Sequence, residues 1–338
     1  MSTNPALSNA NTLAATASKS HVAKSTTSND SQQTDIDNAR LPSAVDPQVN
    51  TPRIVDLALL CATASVTSIG QVTDTIICGD SIKAMKLLPS NSVDLVVTSP
   101  PYNLKNSTGN GMKAGNRNGK WANAALAKGY DSHEDNMAHD DYVKWQRQAL
   151  TEMFRLISDD GAIFYNHKWR VQGGLLQDRS DIVAGFPVRQ VIIWKRSGGF
   201  NFNPGYFLPT FEVIYVIAKK AFKLVKGANA HGDVWEIAQE RNNVHPAPFP
   251  EPLVRRIIES TNANVVLDPF NGSGTTSLVA KGLGRKFIGI ELSRNYCDTA
   301  LARVSGDANW NAEPCTAKPK VVTRKVAIST TIDNIFVA

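Results

Sequence analysis

Cysteine is scarce in this chain: Cys61, Cys78, Cys297 and Cys315 are the only four, and no two stand at Cys-x-x-Cys spacing. That argues against a zinc framework or a disulfide scaffold and leads us to expect reduced thiols in a cytosolic protein, with no metal site. Runs of ~18 apolar residues are also missing, so no membrane-spanning helix is expected. Aromatics are few before Gln71, a stretch dominated by Ser, Thr, Asn and Ala. Such a composition cannot bury enough apolar surface to offset its ordering entropy, so residues 1–72 read as a disordered tail. Leu57–Cys61 is a brief apolar patch within it, readable as a docking turn. The first residues lack the basic head and apolar core of a signal peptide, and the lack of arginine before Arg40 argues against an organelle leader. Charge is only mildly unbalanced, at +6 with a pI near 9.1. That suits a polyanionic partner without establishing one. The length allows one full core plus appendages.

What is present gathers around Ser99-Pro100-Pro101-Tyr102. The apolar, β-branched run Val93–Thr98 reads as a short buried strand, and two prolines end it at once. Each proline lacks an N–H and holds φ near about −65°, and the residue before each is pushed into extended backbone. The result is a stiff corner at a strand's C-terminal edge, where open α/β sheets place their ligands. Ser99 contributes a hydroxyl, the prolines contribute carbonyls without ladder partners, and Tyr102 contributes an aromatic face. This set suits a flat, amine-bearing ring. Taken alone, the four residues read equally well as an ordinary rigid turn.

A second stretch decides between the two. In Val265–Thr276 an apolar strand ends at Asp268, a glycine loop follows, and a helix starts at Thr275 or Thr276 and runs to about Gly282. Lys286–Glu291 is the next strand, closing on an acid. Strand, glycine turn, helix and acid-ended strand form the nucleoside-binding unit of doubly wound folds, the acid hydrogen-bonding ribose hydroxyls roughly 20 residues after the turn. A phosphate loop would need Gly-Lys-Ser/Thr, but Thr275-Thr276 follow Gly274, and the third glycine of a dinucleotide fingerprint is missing.

Together these stretches resemble the amino-methyltransferases of DNA that use S-adenosylmethionine, over about Thr75 to Val304. Val97–Tyr102 is similar to the cytosine-N4 branch; the adenine-N6 branch more often has Asp where Ser99 stands. Asp268–Gly274 is similar to the family's methionine-binding loop, and because Ser99 precedes that loop the order matches the permuted β group. The resemblance implies an α/β fold: a doubly wound mixed sheet of the Rossmann-like methyltransferase type with circularly permuted motif order. The domain would span 73–304, followed by a loose tail over 305–338. S-adenosyl-L-methionine would be the cofactor. Asp80 would bind its adenine amine, Glu291 its ribose, and Asp268, Phe270, Gly272 and Gly274 its methionine end, with His245 and Phe249 closing over it. The alternative reading of Asp80, compatible with the first, is the N-cap of a helix over Ser81–Leu88.

Asn103–Tyr130 carries Lys105, Lys113, Arg117, Lys120 and Lys128 and no acid, which suits phosphate contacts as well as a solvated loop. Lys195–Pro204 resembles the family's loop lining the target-base pocket, making Lys195, Arg196 and Phe200 candidate DNA contacts and Trp194 or Phe200 a second stacking face. Residues 219–243 stand where the family carries its sequence-reading segment, and their brevity suggests a short recognition site. The helical spacing of Tyr142, Trp145, Ala149, Met153 and Leu156 predicts a core face over Asp141–Ile157. Val188–Trp194 and Phe211–Ala218 read as a hairpin, and His167 as a satisfied polar residue at a strand end. Pro314-Cys315 is the dipeptide of cytosine-C5 methyltransferases, but it falls in the polar tail with no strand to present it.

The expected chemistry is direct methyl transfer to the exocyclic N4 amine of a cytosine flipped out of duplex DNA. Ser99 and the Pro100 carbonyl would accept the two N–H bonds and free the nitrogen lone pair, Pro101 would stiffen the corner, and Tyr102 would stack on the ring. Positioning of this kind is worth up to ~7–11 kcal/mol, with no covalent adduct or metal needed. Double-stranded DNA is the expected partner, with a cognate restriction endonuclease as a further candidate and the cytoplasmic nucleoid as the site of action. Three alternatives stay open: adenine-N6 methylation on the same scaffold, methylation of RNA or a glutamine amide, and a non-catalytic DNA-binding regulator.

Overall fold

The computed structural model describes residues 51–62, 66–103, 132–133, 135–198, 204–240, 243, 245 and 247–311. Its strands are β1 (Arg53–Asp56), β2 (Thr75–Cys78), β3 (Val93–Thr98), β4 (Ile157–His167), β5 (Arg170–Gln172), β6 (Leu175–Gln177), β7 (Val188–Lys195), β8 (Phe211–Ala218), β9 (Val234–Glu236), β10 (Val265–Asp268) and β11 (Lys286–Glu291). Its helices are α1 (Leu57–Ala62), α2 (Ser81–Leu87), α3 (His139–Leu156), α4 (Ser180–Val183), α5 (Glu251–Glu259), α6 (Thr275–Gly282) and α7 (Arg294–Ser305). Nine strands join in one sheet of order β1-β2-β11-β10-β3-β4-β8-β7-β9, and β5 and β6 form a separate hairpin. The pairs from β1 through β4 are all parallel, while β8 runs antiparallel to both β4 and β7. The mixed, doubly wound sheet expected from the motifs is therefore present.

The central strands β3 and β10 bury both faces, so their apolar runs are continuous and the faces separate only by period two. On β3, Leu95 and Val97 join one core, while Val96 joins the other. On β10, Val266 faces the first and Leu267 the second. One face is covered by α2 and α3 through Met85, Leu150 and Met153; the opposite face is covered by α5, α6 and α7 through Leu253, Val279 and Ala300.

The chain leaves β3 through α3 on one face to reach β4, and leaves β10 through α6 on the other to reach β11. β3 and β10 are neighbours, with Val96 opposite Leu267, so the direction of winding reverses between them. That switch point opens a crevice beyond their C-terminal ends, the position where such sheets bind ligands.

The expected domain start at residue 73 is corrected by the edge of the sheet. β1 pairs in parallel with β2, from Arg53 opposite Thr75 to Asp56 opposite Cys78, and Leu57 and Val72 are buried in the core. Residues 53–62 and 66–72 thus belong to the fold rather than to a disordered tail. The reason is physical: β1 is held by backbone hydrogen bonds at an edge and its side chains stay half-exposed, so it carries no strong apolar pattern. At the other end, α7 reaches Ser305, and Trp310 lies 4.5 Å from the Arg303 guanidinium. Most of the expected tail, Pro314-Cys315 included, lies outside the described residues. So do residues 1–50 and the basic loop from 104 to 130.

Candidate active site

The two motifs meet at the switch point. Thr98, the last residue of β3, donates its hydroxyl to Asp268 Oδ1 at 2.7 Å, joining strand ends 170 positions apart. The Phe270 amide donates to the same oxygen at 3.1 Å. Burial pushes the Asp268 carboxyl up to about 6, although hydrogen bonds from Thr98, Thr276 and the Phe270 backbone pull it back.

Above this junction lies a cleft of about 630 Å³, solvent at its mouth included. Asp80 lines one part of it and caps α2, its Oδ1 accepting from the Lys83 amide at 2.8 Å. Cap and cleft residue are one and the same group. Glu291, at the end of β11, accepts from the Gly272 amide and the Ser293 amide, each at 2.8 Å. Burial raises the Glu291 carboxyl and those amides lower it. Two carboxylates on separate strand ends give the cleft hydrogen-bond acceptors for an amine and for vicinal hydroxyls.

The walls are aromatic. Trp145 meets Phe270 edge-on at 5.7 Å, and His245 meets Tyr296 edge-on at 5.0 Å. Burial pushes His245 down to about 4, so its ring is neutral near pH 7. The loop beneath is squeezed tight. Gly272 has φ +49°, and a Cβ there would lie 3.0 Å from His245 Nε2; Gly274 has φ +83°, and a Cβ there would lie 2.8 Å from the Ala300 Cβ. Both positions demand glycine for backbone angle and for room. Acceptors at the ends, rings along the walls and a loop held tight by two glycines fit a nucleoside carrying a cationic tail.

The proline corner forms the cleft's remaining wall through Ser99 and Pro101. Ser99 Oγ lies 2.5 Å from the Tyr102 hydroxyl, which donates to Glu212 Oε2 at 3.0 Å. Asn166 Nδ2 donates to Tyr102 Oη at 2.5 Å and to Glu212 Oε2 at 2.9 Å. Glu212 is paired on its other oxygen with Arg196, at 3.4 Å. Behind the corner, the Tyr142 hydroxyl lies 2.7 Å from the Pro101 carbonyl and 2.6 Å from His167 Nε2. Burial holds His167 well below its ordinary pKa and raises that of Tyr142. Buried side chains thus clamp the corner from behind.

Of the residues singled out in the sequence, Asp80, Ser99, Pro101, His245, Phe270 and Glu291 line this one cleft, with Asp268, Gly272 and Gly274 in its floor loop and Pro100 buried behind. Three expectations need correction. Phe249 does not line the cleft: it is buried in the core cluster that also holds Leu253 and Val254 of α5. Tyr102 is buried with its ring 5.0 Å from that of His167 and its hydroxyl engaged, rather than presenting a face to the cleft. Arg196 is buried against Glu212 and the Pro209 carbonyl, so it is a structural ion pair and not a surface phosphate contact. Lys195 is half-exposed and lies 3.0 Å from Glu236. Lys105, Lys113, Arg117, Lys120 and Phe200 lie outside the described residues.

Other site residues had escaped notice. Trp145 sits on the helical stripe expected to be core, yet it lines the cleft. Tyr296 shares that wall, and Asn166 and Glu212 support the corner. Periodicity cannot separate a wall residue from a core one, and nothing local marks a carboxylate 110 positions from its hydroxyl partner. No group of His, Cys, Asp and Glu among the described residues is arranged to hold a metal ion, and no described helix is long and apolar enough to cross a membrane.

A doubly wound sheet with its catalytic corner placed before its glycine loop, around a cleft for a cationic nucleoside, defines a Rossmann-like methyltransferase of permuted order. The chain belongs to the N6/N4 DNA methylase family, whose model, described as DNA methylase, matches residues 93–302. It is 31% identical over 279 residues to the Type II methyltransferase M.BglII of Bacillus subtilis, covering 69% of each chain. It is 29% identical over 264 residues to the Type II methyltransferase M.HpaI of Haemophilus parainfluenzae, covering 69% of this chain and 75% of that one. The structure of PvuII DNA methyltransferase (cytosine-N4-specific) shares the fold, with a TM-score of 0.53 at 20% identity over 69% of this chain and 86% of that one. This protein is thus a DNA methyltransferase with S-adenosylmethionine as its cofactor.

Proposed function

We propose that the methyl acceptor is the N4 amine of a cytosine swung out of duplex DNA. The observation that carries this reading is Ser99 on the cleft wall, its hydroxyl close to Tyr102, at the position where adenine-N6 enzymes more often carry Asp. Bound S-adenosylmethionine supplies an electrophilic methyl group on a sulfonium. The rest falls to the chain. Ser99 Oγ and the Pro100 carbonyl accept the amine's N–H bonds, pull the nitrogen toward a tetrahedral shape and free its lone pair. Asp80 accepts from the adenine amine, Glu291 from ribose hydroxyls, and Asp268 faces the cationic methionine end, while the aromatic walls exclude water. The relatives' Type II names support a modification enzyme, with a cognate endonuclease reading the same site as its partner. Residues 103–130, Lys195 and the 219–243 segment supply DNA contacts in this reading.

The test is to incubate the purified chain with S-adenosylmethionine and mixed-sequence duplex DNA, then digest the DNA and separate nucleosides by mass spectrometry. N4-methylcytosine is the expected product. N6-methyladenine would overturn the choice of base while leaving fold and cofactor untouched.

A further inference from the structure

The hydrogen bonds behind Ser99 have a direction, and it is fixed at the far end. Glu212 is buried and paired with Arg196, and a carboxylate can only accept. The Tyr102 hydroxyl has one proton and gives it to Glu212 Oε2 at 3.0 Å. In the 2.5 Å contact between Ser99 and Tyr102 the serine must therefore be the donor. Asn166 holds the arrangement, because its amide nitrogen meets both Tyr102 Oη and Glu212 Oε2. Turning the amide over would set its oxygen against the carboxylate, so the donor assignment stands on electrostatics. With its own proton committed, Ser99 has only lone pairs to offer the cleft.

We propose that Ser99, Tyr102 and Glu212 form a proton relay that accepts the proton released by the methylated amine, with Glu212 as its terminus. This rests on the proposed function and deepens it. As the amine nitrogen bonds to the methyl carbon, the carbon–sulfur bond breaks and its electron pair stays on sulfur, leaving a thioether. The nitrogen, now cationic, passes a proton to Ser99 Oγ. Ser99 passes its own proton to Tyr102 Oη, and Tyr102 passes its own to Glu212 Oε2. The products are a neutral methylated amine and a carboxylic acid. Pulling on the amine N–H through two hydroxyls backed by a charge also raises the nucleophilicity of the nitrogen before transfer.

The charged and titratable groups facing Glu212 are Arg196, which follows β7, Lys168, which follows β4, and Tyr102, whose ring packs on His167. Arg196 lies 3.4 Å from the carboxylate oxygen that Tyr102 does not use. Lys168, with its pKa lowered by burial and raised by Glu212, is the further cation in electrostatic reach.

Glu212→Gln preserves size and one accepting oxygen but cannot take up a proton. Tyr102→Phe cuts the chain while leaving the Glu212–Arg196 pair whole, so it carries the test if the first variant fails to fold with Arg196 unpaired. Both are measured by single-turnover methyl transfer from pH 5 to 9 and by calorimetric affinity for S-adenosylmethionine and for duplex DNA. We expect a rate loss of about 100-fold or more in both variants, with affinities within threefold of native. Native-like rates in Tyr102→Phe, or in a folded Glu212→Gln, would overturn the relay and leave the proposed function standing. A native chain that methylates no base would overturn both.

Discussion

Asp268→Asn should make the free protein more stable and at the same time deprive it of its cofactor. The Asp268 carboxyl is fully buried, and its pKa is raised from 3.8 to about 6. The sign follows from linkage. Between about pH 4 and 6 the folded chain holds a proton that the unfolded chain has released, so stability falls as pH rises through that window. Above it, the ionised carboxylate costs the fold about 3 kcal/mol, an order-of-magnitude figure from the size of the shift. Asparagine is neutral at every pH, keeps an oxygen to accept from Thr98 and the Phe270 amide, and offers an N–H toward Thr276. The variant should therefore already melt above the native chain at pH 5, where about half of the cost is present, and the gap should roughly double by pH 8, to several degrees at roughly 2–4 °C per kcal/mol. A cationic ligand reverses the balance, because it favours the carboxylate. Native affinity for S-adenosylmethionine should rise up to about tenfold per unit from pH 5 to 6 and then level, whereas the variant binds weakly with no such slope. Scanning calorimetry and titration calorimetry at pH 5, 6, 7 and 8 read both effects. A melting gap that does not change with pH, or a variant that keeps the native affinity slope, would refute the reasoning.

Ser99→Ala should keep S-adenosylmethionine affinity and lose about 100- to 1,000-fold in methyl transfer, the scale for removing one hydrogen-bonding partner of the reacting group; wild-type rates would sink the acceptor role. Phe249→Ala should destabilise the fold by about 3–5 kcal/mol in a denaturant titration yet leave cofactor affinity of the folded protein unchanged, since Phe249 is buried in the core and not on the cleft wall. Gly274→Ala forces a side chain at positive φ into the Ala300 methyl and should cost about 1–3 kcal/mol or more. Gly272→Ala meets His245 instead, so its larger effect should appear in cofactor affinity, read by titration calorimetry.

The legible parts of the sequence were those where chemistry and local order coincide. Asp80, Ser99, Asp268 and Glu291 each stand at the end of an apolar strand, and a polar group there is placed at a sheet edge by the strand itself. The strand-edge rule then brings them together without knowledge of tertiary structure. Phe249 misled because an aromatic beside prolines looks the same whether it caps a ligand or fills a core. Arg196 misled for a related reason: a basic residue in a glycine-rich loop reads as solvent-facing, and only Glu212 on the adjoining strand shows it to be neutralised. Asn166, Glu212 and Trp145 matter through partners distant in the chain, a property no local pattern records. Edge strand β1 was invisible because backbone pairing, not side-chain burial, holds it in place.

The strand order also bears on how the protein is made. β2 and β3 leave the ribosome before β10 and β11 but are not neighbours: those two strands, the latest in the chain among the described residues, lie between them. A nascent chain that has not reached Val265 therefore lacks the middle of its own sheet, and two β edges of apolar strands have no partner. The Thr98–Asp268 bond, spanning 170 positions, can close only when the late strands slide into that slot. Closure over so large a loop is slow compared with local folding. Chains stopped before Val265 would carry the Ser99 corner but neither Glu291 nor the glycine loop, so methylating capacity arrives all at once, after Glu291 has emerged. A protein built in this order depends on β10, β11 and the helices that follow them for both solubility and activity.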